Sequence, residues 1–130
     1  MEHKETIFVI EDSKIISEIV GYHMSEKFSC KTLLFENADR AMKQLLKSPP
    51  KLIILDYNFN YEGLNYSTGL DFLIALRKIN TIPVIVFSGQ RDDQIAKEII
   101  QQGANDYIAK QDDDFLDSLL FSAECKLKAS

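Results

Sequence analysis

The chain has 130 residues, of which 45% are hydrophobic and 27% are charged, and these values predict one compact domain over residues 1–130. Its formal net charge of −5 and its lack of a long Lys/Arg cluster argue against a nucleic-acid-binding surface. No stretch approaches the roughly 18 apolar residues of a membrane span, and the charged N-terminus lacks a signal-peptide cleavage site. We therefore expect a cytoplasmic protein that binds no membrane and whose partners are proteins.

The cysteines and histidines give little support for a metal or redox centre. Cys30 and Cys125 lie far apart without CxxC or Cys/His spacing, so we interpret both as packing residues. His3 and His23 have no acidic or cysteine neighbour at ligand spacing, and we assign no function to either. The sequence therefore predicts neither a disulfide framework nor a zinc site.

Short β-rich segments alternate with amphipathic segments along the whole chain. Strands are predicted at residues 7–10, 32–35, 52–55, 84–87 and 107–109. Gly103 is expected to cap the fourth helix. The five helices are predicted from apolar residues at helical spacing, which are Ile15, Ile16, Ile19 and Val20; Ala38, Ala41, Met42, Leu45 and Leu46; Leu70, Phe72, Leu73 and Leu76; Ile95, Ala96, Ile99 and Ile100; and Phe115, Leu116, Leu119, Leu120 and Ala123.

The third and fourth predicted strands, LIIL and VIVF, contain only apolar residues, which is typical of a parallel sheet buried on both faces. Right-handed crossovers would place helices on both sides of such a sheet. The pattern predicts an α/β fold, a (βα)5 doubly wound five-stranded parallel sheet in the order 2-1-3-4-5. Ligands of such sheets bind beyond the carboxyl ends of the strands, near the switch point between the first and third strands.

Polar residues stand where such a ligand is expected. Glu11 and Asp12 follow the first predicted strand, Asp56 the third, Ser88 the fourth and Lys110 the fifth. The predicted strand order would gather the three carboxylates, whose mutual repulsion would raise their proton affinity unless a cation neutralised them. Carboxylates and carbonyls suit Mg²⁺, which keeps several waters and leaves coordination positions for a phosphate oxygen. The sequence therefore predicts a hard-metal site.

Each of these residues has an ordinary structural explanation when it is considered alone. Asp12 or Ser13 would suit the start of a helix. Asp56 and Ser88 would suit turns, and Lys110 would be a solvated surface charge. Their joint occurrence at successive strand ends favours a functional interpretation.

Four segments, VIEDS, LIILDYN, VIVFSG and YIAK, occur in this order and resemble the signature segments of response-regulator receiver domains over essentially the whole chain. The resemblance implies a flavodoxin-like fold and a two-component phosphoacceptor, a switch rather than an enzyme, which catalyses its own phosphorylation and dephosphorylation. It implies a histidine kinase or histidine phosphotransfer protein as the phosphodonor and an unidentified downstream protein target. A phosphorylation-dependent homodimer stays open.

The resemblance also implies the role of each site residue. Asp56 would attack phosphorus and form an aspartyl phosphate, and positioning and charge neutralisation would supply most of the catalysis. Asp12 and Asp56 would bind Mg²⁺ directly together with the backbone carbonyl of Asn58. Glu11 would hold a metal-bound water.

Three further residues and one surface are implied to bind the phosphoryl group or to transmit the phosphorylation signal. Lys110 would pair with one phosphoryl oxygen, and the Ser88 hydroxyl would bind another and pull the following loop inward. Tyr107 would be an aromatic switch that turns inward when Ser88 moves, with strand packing as its ordinary alternative. Residues 92–102, the fifth strand and the last helix would form the surface that partners recognise.

The loop after Asp56 departs from the family pattern. It reads YNFNYEGLNYSTGLDFL, with Asn60 where proline is frequent and with Gly69 displaced by about five residues. Its aromatic residues would shield the acyl phosphate, contact a partner or simply pack, and they are Tyr57, Phe59, Tyr61 and Tyr66.

Two more departures concern the end of the chain. Gln111 replaces the proline that usually follows the lysine, and a cis bond before glutamine would cost about 2.5–4 kcal/mol. The last helix is expected to be followed by little more than AECKLKAS, which leaves no room for an output domain. Action through protein contact or a fragment of a longer protein would both account for this.

Three alternatives to a phosphoacceptor have less support from the sequence. A flavodoxin-like cofactor binder is disfavoured because IEDSK lacks a phosphate cradle, and its two carboxylates would repel an unchelated phosphate. A haloacid-dehalogenase-type phosphatase needs a second Asp where Asn58 stands. A phosphorylation-independent receiver-like interaction module is the serious alternative, although all five polar strand-end residues are present.

Overall fold

The computed structural model describes residues 5–58, 64–89 and 92–128 of the protein. Strands and helices alternate along these residues. The strands are β1 (Thr6–Ile10), β2 (Lys31–Phe35), β3 (Leu52–Asp56), β4 (Val84–Ser88) and β5 (Asp106–Ala109). The helices are α1 (Lys14–Phe28), α2 (Ala38–Lys47), α3 (Gly69–Arg77), α4 (Asp93–Gln101) and α5 (Phe115–Lys128).

The five strands form one parallel sheet in the order β2-β1-β3-β4-β5, so the predicted (βα)5 fold is confirmed. Asp56 at the end of β3 pairs with Phe87 of β4, and Ser88 at the end of β4 pairs with Ala109 of β5. The carboxyl ends of the strands therefore meet at one edge of the sheet. This register brings the polar strand ends to the same place.

Two apolar cores flank the sheet and explain the uninterrupted apolar runs in its central strands. Alternate residues of β1 point to opposite faces, so that Phe8 and Ile10 join one core while Ile7 and Val9 join the other. The first core is completed by α2, α3 and α4, and the second by α1 and α5. Because helices cover both faces, these strands need no polar side in their interior.

The ends of two helices follow their sequence signals. The Ser13 hydroxyl accepts a hydrogen bond from the backbone N–H of Ile16 and caps α1. Gly103 follows α4 with a φ of 111°, a left-handed conformation that suits glycine, and its N–H donates to the carbonyl of Ile100 at 3.0 Å. The predicted role of Gly103 at the end of α4 is therefore confirmed.

Several predicted boundaries were wrong by a few residues. Asp56 and Ser88 are the last residues of β3 and β4 rather than the first residues after them. The last helix continues to Lys128, through most of the predicted tail, because Ala, Glu, Lys and Leu are good helix formers. This extension places Cys125 on an exposed part of α5, so it is not a packing residue, whereas Cys30 is buried as predicted.

The apolar stripes of the helices are wider than the faces that they bury. Ile15 and Leu46 belong to the predicted stripes of α1 and α2, yet they are 72% and 69% exposed. Ile19 and Ile100 are also exposed. Each helix contacts the sheet along one side only, so residues at the margin of a stripe stay in solvent. No helix in the described ranges is both long enough and apolar enough to cross a membrane.

The start of α3 lies directly against the end of β3. A Cβ atom added at Gly69 would lie 2.7 Å from the carbonyl oxygen of Asp56 and 3.1 Å from the Cα atom of Tyr57. Both neighbours are backbone atoms, which cannot rotate away as a side chain could. Glycine at residue 69 therefore allows α3 to begin this close to Asp56.

We predict that Gly69→Ala lowers the free energy of unfolding by about 1–3 kcal/mol, because the backbone must move to admit the methyl group. Chemical denaturation monitored by circular dichroism measures this loss. Gly89→Ala is the matched control, since its nearest contact would be 3.6 Å from the Asn58 side chain and its effect should stay within about 0.5 kcal/mol. Equal stability of the two variants would contradict the prediction.

Candidate functional site

Three carboxylates lie together at the carboxyl edge of the sheet. Each of Glu11, Asp12 and Asp56 offers an oxygen, and these oxygens lie within 4.8 Å of one another. Glu11 and Asp56 are buried and Asp12 is exposed. The adjacency of β1 and β3 brings them together from positions more than forty residues apart in sequence.

The ammonium group of Lys110 lies between two of these carboxylates. Its Nζ donates to Glu11 Oε1 at 2.7 Å and to Asp56 Oδ1 at 3.2 Å. The same Nζ lies 4.6 Å from the centre of the Phe87 ring, a cation–π contact. No sequence pattern pointed to Phe87, because an aromatic residue in an apolar strand is normally explained by packing.

The backbone directs Lys110 toward the carboxylates. Its N–H donates to the Ser88 carbonyl at 2.6 Å, which continues the pairing of β5 with β4 by one residue. No peptide bond among the described residues is cis, so the bond between Lys110 and Gln111 is trans. The lysine therefore reaches Glu11 and Asp56 without the cis bond that the family pattern suggested.

Burial and the neighbouring carboxylates shift the proton affinity of Glu11. Burial is the largest cause, followed by the Asp12 carboxyl, and together with Asp56 they outweigh Lys110 and raise the pKa of Glu11 from 4.5 to about 7. Burial alone would lower the pKa of Lys110, but its contacts with Glu11 and Asp56 prevail and raise it. The lysine therefore stays charged at neutral pH, while Glu11 exchanges its proton near neutrality.

Asn58 connects the ends of β3 and β4. Its backbone N–H donates to Asp56 Oδ1 at 3.0 Å, and its side-chain Oδ1 accepts from the N–H of Gly89 at 2.7 Å. The resemblance implied a role only for the backbone carbonyl of Asn58, so the side-chain contact was missed. It depends on the adjacency of two loops that are distant in sequence.

Ser88 and Tyr107 lie on the β4–β5 side of the site. Ser88 is buried at the end of β4, and Tyr107 of β5 is half-buried against the core that α2, α3 and α4 share with the sheet. Beside Tyr107, β5 and α5 border a groove of about 410 Å³ whose lining includes Asp117 and Phe121. Phe121 is 69% exposed, so this face carries an apolar residue beside an acidic one.

The donor set fits a hard divalent cation. Three carboxylates face one ammonium group among the described residues nearby, so the cluster keeps a surplus of negative charge once Glu11 is ionised. All of the candidate ligand atoms are oxygens, which Mg²⁺ prefers over the nitrogen and sulfur ligands of zinc sites. These residues could therefore hold Mg²⁺.

The long loop is described only in part. Asn60, Phe59 and Tyr61 lie outside the described residues, so the predictions made for them stay predictions. Tyr57 and Tyr66 are half-buried and both pack against the core on the α2 to α4 side, which is the packing alternative for these two residues. His3 also lies outside the described residues, whereas His23 is half-buried on α1 with its ring against Tyr22.

Comparison with known proteins assigns the family. The profile described as "Response regulator receiver domain" matches residues 7–120. The chain is 29% identical to the transcriptional regulatory protein KdpE of Staphylococcus aureus over 104 residues, which are 80% of this chain and 42% of that protein. It is 32% identical to the nitrogen assimilation regulatory protein NtrX of Azorhizobium caulinodans over 106 residues, which are 80% of this chain and 22% of that protein.

Solved structures agree with the sequence relatives. The receiver domain of NtrX from Brucella abortus has a TM-score of 0.82 and 29% identity, with 95% of this chain and 99% of that chain covered. The receiver domain of the Francisella response regulator 1452 has a TM-score of 0.81 at 22% identity, with 96% and 98% covered, and it supports the fold alone.

The chain therefore belongs to the response regulator receiver domain family of two-component systems. Members of this family typically bind Mg²⁺ and are phosphorylated. The chain spans less than half the length of the curated relatives described above.

The raised pKa of Glu11 predicts how the stability of the metal-free protein varies with pH. The folded protein keeps the Glu11 proton up to about pH 7, whereas the unfolded chain loses it near 4.5. The contribution of Glu11 to the free energy of unfolding is fully present below its pKa in the unfolded chain. It is lost as the pH rises through its pKa in the folded protein. We therefore expect the free energy of unfolding to fall by roughly 2–3 kcal/mol between pH 5 and pH 8.

Urea denaturation in a chelating buffer measures this fall. Glu11→Gln removes the titrating group and should flatten the pH dependence over this interval, because a neutral amide does not change charge. Asp71→Asn, an exposed carboxyl in the first turn of α3, is the control and should keep the wild-type slope. A wild-type protein with constant stability from pH 5 to pH 8 would contradict the prediction.

Proposed function

We propose that the whole chain, residues 1–130, is a receiver that accepts a phosphoryl group on Asp56 in a Mg²⁺-dependent reaction. The observation that carries the proposal is the environment of Asp56, which is buried beside Glu11, Asp12 and the ammonium group of Lys110. A carboxylate that only ended a strand or began a turn would not need three charged groups around it. We further propose that the protein acts in the cytoplasm, as is typical of the family.

The proposed reaction is an in-line displacement at phosphorus. A carboxylate oxygen of Asp56 forms the new O–P bond, while the bond between phosphorus and the donor breaks and its electrons leave with the donor atom. Bound Mg²⁺, held by Asp12, Asp56 and the Asn58 carbonyl, with Glu11 acting through a water, would neutralise charge on the phosphoryl oxygens. Lys110 would leave its contact with Asp56 Oδ1 and pair with a phosphoryl oxygen.

We propose that Ser88 and Tyr107 convert this reaction into a change of surface. The Ser88 hydroxyl would bind a phosphoryl oxygen, and the β4–α4 loop would follow it inward. The Asn58–Gly89 hydrogen bond holds Gly89, the first residue of this loop, so an inward movement of Gly89 would break or remake it. Tyr107 would then turn inward and alter the face that β5, α4 and α5 form, because the phosphorylated site binds one arrangement better.

The proposed partners follow from this chemistry. The phosphodonor would be a histidine kinase or a histidine phosphotransfer protein, and a downstream protein would recognise the altered face. The curated relatives are named as regulators of transcription and of nitrogen assimilation. The target of this chain, and any phosphorylation-dependent homodimer, belong to the proposal.

Incubation with Mg²⁺ and phosphoramidate should add one phosphoryl group to the protein, as detected by intact mass. The adduct should disappear with hydroxylamine, because an acyl phosphate reacts with that nucleophile. Asp56→Asn should abolish the adduct, whereas Asp71→Asn should retain it. An adduct that survives Asp56→Asn would contradict the assignment of Asp56 as the phosphoacceptor. The absence of any adduct would favour the alternative of a phosphorylation-independent interaction module.

The Ser88 switch is tested with beryllofluoride, a phosphoryl analogue, added together with Mg²⁺. In the wild type we expect the NMR signals of the Tyr107 ring to move on binding. Ser88→Ala should weaken binding about tenfold, since it removes one hydrogen bond to a charged group, and should leave the Tyr107 signals in place when the ligand is saturating.

Ser118→Ala serves as the control for this experiment, because Ser118 lines the groove beside Tyr107 but belongs to α5 and not to a strand end. It should behave as the wild type in both measurements. Tyr107 signals that move equally in the wild type and in Ser88→Ala would contradict the coupling of these two residues.

A further inference from the structure

Asp39 lies in the first turn of α2 and contacts the long β3–α3 loop. Its Oδ2 accepts a hydrogen bond from the backbone N–H of Asn65 at 3.0 Å, and its Oδ1 accepts from the N–H of Tyr66 at 2.9 Å. One carboxylate therefore holds two successive peptide groups that lie 26 and 27 residues away in sequence. None of the signature segments contains Asp39.

This contact is not needed to form α2. Asn37 already caps the helix, since its Oδ1 accepts from the N–H of Arg40 at 2.9 Å. An acidic residue in the first turn is favourable for any helix, but a solvated carboxylate would supply that benefit equally well. The half-buried Asp39 side chain instead satisfies two backbone donors of the loop.

The held peptides continue into the segment that contacts Asp56. The Tyr66 ring lies 6.0 Å from the ring of the fully buried Phe72, in an edge-to-face arrangement. Thr68 caps α3 by accepting from the N–H of Asp71 at 3.1 Å. Gly69 then lies against the carbonyl of Asp56. Residues 65–69 are thus fixed at both ends, by Asp39 on one side and by the end of β3 on the other.

We infer that Asp39 is a positioning residue for the phosphoacceptor site, an inference that rests on the proposed function. The loop leaves the site at Asn58, whose carbonyl is a proposed Mg²⁺ ligand, and it returns through the peptides that Asp39 holds. The segment that Asp39 holds ends at Gly69, which packs against the backbone of Asp56 and Tyr57, the two residues that precede Asn58. Asp39 thereby holds the Asn58 carbonyl ready for the metal, which reduces the entropy lost on binding.

The test compares Asp39→Ala, Asp39→Asn and Asp71→Ala with the wild type. Asp71 is the matched control because it is an exposed acid in the first turn of α3, close to the same loop. The Asp71→Ala substitution removes a negative charge from the start of a helix near the site, but it keeps the hydrogen bonds of Asn65 and Tyr66 to Asp39. Amide hydrogen exchange at Asn65 and Tyr66 measures the loss of their hydrogen bonds to Asp39. Calorimetric titration measures the affinity for Mg²⁺.

We expect Asp39→Ala to accelerate exchange of both amides and to raise the Mg²⁺ dissociation constant about 3- to 10-fold. Asp39→Asn, which keeps one acceptor oxygen, should have an intermediate effect, and Asp71→Ala should match the wild type. Phosphorylation by phosphoramidate should slow by the same factor at subsaturating Mg²⁺. It should return to the wild-type rate at saturating Mg²⁺, a pattern that a general loss of stability would not produce.

The inference is overturned if the two amides lose protection in Asp39→Ala while the Mg²⁺ affinity stays unchanged, because Asp39 would then be structural only. Asp39→Asn supplies the same comparison if the alanine variant fails to fold by circular dichroism. A wild-type protein that binds Mg²⁺ but gains no phosphoryl group would refute the proposed phosphotransfer. The Mg²⁺ titrations of the variants would still decide the role of Asp39.

Discussion

The ion pair network of Lys110 with Glu11 and Asp56 is the interaction on which the site depends. Two buried carboxylates beside a third would repel one another strongly, and one ammonium group at 2.7 and 3.2 Å offsets part of that repulsion. Burial, together with the neighbouring carboxylates, still raises the pKa of Glu11 to about 7, and the oxygens of the cluster suit a divalent cation. In the metal-free protein, the positive charge of Lys110 thus partly replaces the charge that a bound cation would supply.

This network constrains the surrounding loops. Lys110 reaches the carboxylates because β5 pairs with β4 up to the Ser88 carbonyl, so the lysine and the serine share one backbone hydrogen bond. Asn58 ties the β3 end to Gly89, the residue after that serine. In the proposed function, a phosphoryl group on Asp56 would bind Lys110 and Ser88 together, and this binding would link a local charge change to the loop after β4.

The long β3–α3 loop is accommodated without disturbing this arrangement. Gly69 lets α3 begin against the Asp56 backbone, and Asp39 takes up two peptide groups of the returning chain. Insertions in surface loops are tolerated because their closure entropy grows slowly with length, provided that both ends stay fixed. Here the fixed points are Gly69, the first residue of α3, and a carboxylate on a different helix, α2.

The sequence by itself determined the order of strands and helices, the parallel sheet and the residue types at the strand ends, because apolar periodicity and strand-end polarity are local patterns. It did not determine that β3 and β4 end on Asp56 and Ser88, or that α5 runs past Cys125 to Lys128. The preference of a residue for helix or strand does not define the last residue of an element to better than one or two positions. The contacts of Asn58 with Gly89, of Lys110 with Phe87 and of Asp39 with Tyr66 were decided only by the tertiary structure. Each joins residues from different βα units, and their distances depend on how the sheet and helices pack rather than on any spacing along the chain.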